Sequence, residues 1–317
     1  MKKFLYLQSF KQNLIANQSF YSFQHNQTRL FKYQKHHRME EDQSLPISDF
    51  AKNTINPLRR IFENLKFEPN PDKAEISLQK GDPTVFGNFK RPQALVDALK
   101  RAADEDTFSY THTMGREDAR EAVASYFNDK NVLEITSDDV FLTTGGSSAL
   151  EMCFLVLANP GENILVPRPT FNFSTWICGP GIETKSYNLD PAKDWEIDLK
   201  HLESLIDDKT RAIAINNVGN PCGNVFSKEH LKKLLEVAER YNLPMISDEV
   251  YEFCTFTGVE FHSIATLSEN VPVLICSGIT KRFYIPGIRL GWIIICDREK
   301  KFKNVRVGPV SYTHLTL

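Results

Sequence analysis

Lys281 and Arg289 stand close together in Ser277-Gly278-Ile279-Thr280-Lys281-Arg282-Phe283 and the following Pro286-Gly287-Ile288-Arg289. A lysine amine held at such a place can condense with an aldehyde, and the planar fork of an arginine can grip a phosphate through two parallel N–H bonds. A second group is Asp248-Glu249-Val250-Tyr251. A carboxylate there could keep a heterocyclic nitrogen protonated, each pKa unit being worth about 1.36 kcal/mol, and the phenol three residues on could reach the same ligand. A third is Gly145-Gly146-Ser147-Ser148-Ala149, which runs into the apolar stretch Leu150–Leu157. Two glycines let the backbone approach a ligand closely, and the free N–H groups and dipole at a helix start favour a phosphate. Taken singly, each has a plainer explanation: a surface lysine, a capping aspartate with a core tyrosine, a strand-to-helix turn. Their combination shifts the balance towards a ligand site.

These groups must be positioned by regular elements, and the hydrophobic pattern supplies them. Runs rich in β-branched and aliphatic residues at Val140–Thr144, Asn163–Pro167, Arg211–Asn217, Pro244–Ser247, Val271–Ser277 and Leu290–Cys296 have the character of buried strands. Helical spacing links Ala94, Leu95, Ala98, Leu99 and Ala102 behind Pro92, and links Ala119, Ala122, Val123, Tyr126 and Phe127. Further helices are expected over Ser147–Leu157, over Asp198–Ile206 and after the capping Ser227. Alternation of this kind predicts an α/β fold, a mostly parallel sheet covered by helices on both faces. In such sheets ligands bind beyond the carboxyl ends of the strands, and all three groups directly follow an expected strand.

Bulk properties narrow the function classes. The 317 residues are 41% apolar and 25% charged, enough for a large core, and a net charge of −2 provides no positive field for nucleic acid or an acidic membrane. The six cysteines lie far apart with no metal-ligand spacing and suggest buried thiols in a reducing compartment. No apolar run approaches the ~20 residues that span a bilayer. Residues 1–38 contain seven Lys/Arg and no Asp or Glu. They form a basic leader, either transit-like or preceding a translation start at Met39, so the expected location is cytoplasmic, with mitochondrial as the alternative.

From Asn56 to Asp297 the sequence resembles the fold-type-I pyridoxal-phosphate-dependent aminotransferases, and within them the tyrosine aminotransferase branch. Asn56-Pro57-Leu58-Arg59, Gly81-Asp82-Pro83-Thr84-Val85-Phe86-Gly87-Asn88, Leu157-Ala158-Asn159-Pro160-Gly161, Trp195-Glu196-Ile197-Asp198-Leu199, Asn220-Pro221-Cys222-Gly223 and Val225-Phe226-Ser227-Lys228 carry the resemblance in order and spacing. It implies that Lys281 binds pyridoxal phosphate covalently, Asp248 pairs with the ring nitrogen, and Tyr251 and Asn220 bond the ring hydroxyl oxygen. Phe171 would stack on the ring. Gly146, Ser147 and Arg289 would hold the phosphate, with Gly145 or Ser277 contributing. Tyr110 would reach the phosphate of a partner subunit, which implies a homodimer, and Gly81 would lie near the substrate carboxylate. No metal is implied.

The implied activity is amino-group transfer from an aromatic L-amino acid, tyrosine by resemblance, to 2-oxoglutarate. Alternatives are a related pyridoxal-phosphate enzyme, alanine-type or a cysteine-sulfur lyase, and a non-catalytic fragment. The expected division is a leader at 1–38, an N-terminal arm with part of a small domain at 39–105, a cofactor-binding domain at 106–304 and an atypical tail at 305–317. The family's small domain closes with a C-terminal segment carrying the arginine for the substrate α-carboxylate. Nothing in 305–317 resembles it, so a truncated small domain is expected.

Overall fold

The computed structural model describes residues 45–308, apart from 66–67, 69, 75, 77–80, 83, 85–86, 88, 106–108, 131–133 and 307. The expected leader, most of the 305–317 tail and part of the Gly81–Asn88 motif lie outside the described residues. The described residues from Ile47 onward form one compact unit.

Its centre is an eight-stranded sheet among the described residues. The strands are β1 (Val140–Thr143), β2 (Asn163–Arg168), β3 (Glu183–Asp190), β4 (Glu196–Ile197), β5 (Thr210–Asn216), β6 (Met245–Asp248), β7 (Val273–Gly278) and β8 (Gly291–Cys296), in the spatial order β1-β8-β7-β6-β5-β2-β3-β4. β3, β2, β5, β6 and β7 are parallel, while β8 runs against both β7 and β1 and β4 runs against β3. The six expected strands match β1, β2, β5, β6, β7 and β8 to within a residue or two. β3 and β4 were not expected from the apolar pattern. β3 has only Tyr187 and Leu189 buried, because it packs near the sheet edge beside the two-residue β4.

The central strands are buried on both faces, so successive side chains feed two separate cores. Leu165, Ile213, Ile215, Met245, Val273, Ile275 and Ile294 pack on one face with Phe127, Leu231 and Leu234, from the helices Glu117–Lys130 and Lys228–Arg240. Ile164, Val166, Ala212, Ala214, Ile246, Leu274, Cys276 and Ile293 pack on the other face with Leu150, Met152 and Phe154 of the Gly146–Leu157 helix. Ser227 caps its helix as expected, accepting the His230 N–H at 3.2 Å. The helix Gln93–Asp104 also forms, but none of its residues is buried. Cys153, Cys276 and Cys296 are buried, with Cys153 and Cys276 Sγ 3.4 Å apart; Cys254 is exposed, contrary to the expectation of burial throughout. Among the described residues no helix is long and apolar enough to cross a membrane, and no cluster of side chains could hold a metal.

Candidate active site

β6 ends on Asp248, and strand alternation sends its side chain to the face covered by the Gly146–Leu157 helix, two positions beyond Ile246. Asp248 is 5% exposed, and burial pushes its carboxyl up to about 7, opposed by the Val250 N–H, which donates to Oδ1 at 3.2 Å, and by the charge of Lys281. Such a carboxyl is poised to ionise once a cation sits beside it. Lys281 lies on the one-turn helix Ile279–Arg282, immediately after β7. Its Nζ donates to the Gly81 carbonyl at 3.0 Å and lies 5.6 Å from the ring centroid of Tyr251. Burial lowers its pKa, and Asp82, Cys254 and Asp248 pull the other way. The net shift is downward, towards the neutral form that acts as a nucleophile. Tyr251 is held in its neutral form by burial and by the neighbouring Asp248.

Gly81 itself leaves no room for a larger residue without moving the lysine, since a Cβ there would come 3.3 Å from Lys281 Nζ. Beside it, Asp82 Oδ1 accepts the Thr84 N–H and hydroxyl at 2.9 and 2.6 Å, which keeps its carboxyl ionised and adds negative charge near the lysine. Asn220 is tied to the same centre through Asn216: the Asn220 N–H donates to Asn216 Oδ1 at 2.6 Å, and Asn216 Nδ2 donates to the Asp248 carbonyl at 3.2 Å. Phe171 follows β2 and packs against Trp176 with ring centroids 5.6 Å apart.

The residues expected to cradle an anion lie where β1 passes into the Gly146–Leu157 helix. Gly145 has φ 87°, in the left-handed region, and a Cβ on it would lie 2.3 Å from Arg289 Nη2. Arg289 donates to the Pro286 carbonyl at 3.0 Å and to the Thr144 carbonyl at 3.3 Å, so its guanidinium lies across the helix start. Gly146 and Ser147 are the first two residues of that helix, whose leading N–H groups have no partner within it. Gly291, at the start of β8, packs so tightly that a Cβ would fall 2.5 Å from the Gly145 carbonyl carbon.

Ser277 does not bring its hydroxyl to this cradle. Its side chain belongs to the opposite face of the sheet from Cys276, is 5% exposed, and donates to the Glu249 carbonyl at 3.4 Å. Only its backbone carbonyl adjoins Gly146. Tyr110 is 99% exposed and stands apart from the other site residues within this chain.

One residue beside the expected ones was passed over in the sequence. Glu249 is 1% exposed; its Oε1 accepts the Ser247 and Ser263 hydroxyls at 2.8 and 2.9 Å, and its Oε2 has no partner. Burial pushes this carboxyl up to about 8. The available signal was parity: Ser247, Glu249 and Ser277 share the face opposite Asp248.

Residues 73–311 match the family model described as "Aminotransferase class I and II". The chain is 49% identical to the tyrosine aminotransferase of Mus musculus over 273 residues, covering 85% of this chain and 60% of that protein, and 48% identical to the Homo sapiens tyrosine aminotransferase over the same extent. It spans about 60% of the length of these relatives. Its fold is similar to that of the crystal structure of tyrosine aminotransferase from Leishmania infantum, with a TM-score of 0.78, 31% identity, and coverage of 87% of this chain and 73% of that one.

Proposed function

Because this chain belongs to the class I and II aminotransferases, we propose that its site takes pyridoxal phosphate and transfers the amino group of an aromatic L-amino acid, tyrosine foremost, to 2-oxoglutarate. The observation that carries this reading is the amine of Lys281, its pKa lowered by burial, beside a buried carboxyl and a left-handed glycine under an arginine. The residues fit the cofactor on two counts. The missing Cβ of Gly145 lets the Arg289 guanidinium lie against the helix start, and Asp248 is a buried carboxyl that an adjacent ring N–H cation would hold ionised.

Bound pyridoxal phosphate supplies an aldehyde that condenses with amines and a ring that draws electron density from the substrate α-carbon. Lys281 would hold the cofactor through its amine, and the same amine, when free, would serve as general base and acid at the substrate α-carbon. Asp248 keeps a proton on the ring nitrogen. Tyr251 and Asn220 bond the ring hydroxyl oxygen, and Phe171 covers the ring face. Gly145, Gly146, Ser147 and Arg289 hold the phosphate by backbone N–H groups, hydroxyl and guanidinium. Gly81 lies beside the substrate carboxylate. In a homodimer, Tyr110 serves the partner's phosphate site, consistent with its exposure within one chain. The 39–105 and 106–304 division, with the second portion as the cofactor domain, and a cytoplasmic location belong to the same proposal.

The test is direct. The purified protein, mixed with pyridoxal phosphate and reduced with borohydride, should carry the cofactor on the peptide containing Lys281, and Lys281→Ala should carry none. Labelling that persists in Lys281→Ala would overturn the assignment. Faster turnover with alanine than with tyrosine, or release of ammonia and pyruvate from a cysteine-type substrate, would redirect it to another pyridoxal-phosphate chemistry.

A further inference from the structure

Arg282 adjoins the lysine, yet it points away from the site just described. Its guanidinium carbon lies 3.7 Å from the ring centroid of Phe253, 4.2 Å from that of Tyr126 and 5.3 Å from that of Phe283. Phe253 and Tyr126 also meet each other, with centroids 5.9 Å apart and planes at 49°. A guanidinium over aromatic faces is attracted by the ring quadrupoles, more strongly when water is excluded, and its flat shape suits a slot between rings. Glu252 and Arg282 both act on the Tyr126 phenol, in opposite directions, and burial pushes that phenol up to about 12.

The three rings come from three different elements. Tyr126 belongs to the Glu117–Lys130 helix, Phe253 lies two residues after Tyr251, and Phe283 ends the turn that carries Lys281. A single side chain therefore joins the turn bearing Lys281 to the loop bearing Tyr251, and both to a core helix. That turn is a single helical turn with no fully buried residue, anchored by Ile279, which packs partly buried against the core, and the Arg282 slot adds a second anchor.

We infer that Arg282 is a positioning residue, which through its aromatic slot fixes where the Lys281 amine stands relative to Tyr251 and Gly81. This rests on the role of Lys281 proposed above, but the first measurement below does not need the cofactor. Lysines of the protein are labelled by reductive ¹³C-methylation, and the Lys281 resonance, identified by its absence in Lys281→Ala, is titrated in the wild type, Arg282→Met and Arg282→Lys. Thermal unfolding of each is measured in parallel.

In Arg282→Met the midpoint should rise by about half a unit or more towards that of an ordinary lysine, because the loosened turn lets the amine reach water. Arg282→Lys should recover part of this, retaining the charge but not the flat stack. In the cofactor-loaded protein, kcat should fall about tenfold in Arg282→Met with little change in KM. An unchanged midpoint in a folded Arg282→Met protein, whatever its melting temperature, would overturn the inference and leave Arg282 as a structural anchor. If Arg282→Met does not fold, Phe253→Leu removes the nearest ring while keeping the charge and must shift the midpoint in the same direction. An Arg282-dependent titration in a protein that never takes up pyridoxal phosphate would sink the cofactor proposal alone.

Discussion

The two ends of the described chain treat their apolar residues in opposite ways. From β1 onward the apolar side chains of the central strands are buried, and the two cores close against helices of the same chain. Before it, Ile47, Phe50, Ile55, Leu58, Ile61, Leu65, Ile76, Phe89, Leu99 and Tyr110 all remain exposed, and the helices Asp49–Asn53 and Gln93–Asp104 have no buried residue. Both regions have amphipathic sequence patterns, so periodicity announces a face without saying what covers it. The sheet carries its own cover within the chain. The N-terminal helices do not, and the homodimer proposed above would provide one.

The largest expected effect lies at the heart of the self-sufficient region. Asp248→Asn should retain the borohydride-reducible bond at Lys281 while slowing turnover of the cofactor-loaded protein by about 10²–10³-fold, the scale of losing one preorganised electrostatic partner. Equal turnover in the two proteins would remove Asp248 from the mechanism and leave it a buried carboxyl of the sheet.

Stability should separate the two regions more directly. Ile246→Ala, in the fully buried centre of β6, should cost about 2–5 kcal/mol in denaturant unfolding. Leu99→Ala, at a residue 44% exposed, should change the stability of the isolated chain by no more than about 0.5 kcal/mol. A cost for Leu99→Ala that grows with protein concentration would show the N-terminal face buried between subunits; a large cost independent of concentration would break the contrast altogether.

The smallest effect concerns pH. The Glu249 carboxyl is raised from 4.5 to about 8 in the folded protein, so the stability it contributes is present in acid and is lost as pH climbs through that interval. Asp248, raised from 3.8 to about 7, acts with the same sign. Glu249→Gln keeps the shape and removes the titration. Its melting temperature should match the wild type near pH 5 and exceed it by a few degrees near about pH 8. A gap that opens in acid instead would show that Glu249 is ionised and paired in the folded state.

Much of this was legible in the sequence, for physical reasons that also mark where legibility ended. Six strands were visible because a strand buried on both faces must be a continuous apolar run, as Ile293-Ile294-Ile295 is. β3 was not, because Lys185, Ser186 and Asn188 share it with only two buried residues. Lys281, Asp248 and Arg289 stood out by residue type at the ends of expected strands. Ser277 had the right type and place in the chain but the wrong parity, and one residue of register decides which face a side chain serves. The Arg282 slot draws Tyr126 and Phe253 from distant segments, so no local pattern announces it.

The reversal of β8 bears on how the site is assembled. Because this strand runs against β7, one short connection delivers Lys281 as it leaves β7 and Arg289 as it approaches β8, and a hairpin closes cheaply. Their partners are remote: Lys281 meets Gly81 across 200 residues of chain, and Arg289 meets Thr144 across 145. Arg289 and Gly145 come together only after β1 has docked along β8, its one neighbour in the sheet among the described residues. Contacts of such long sequence separation form slowly, so during refolding the capacity to retain a phosphate should appear late, well behind the far-ultraviolet signal of the helices. Uptake of the chromophore would then act as a clock for the final docking of the sheet edge.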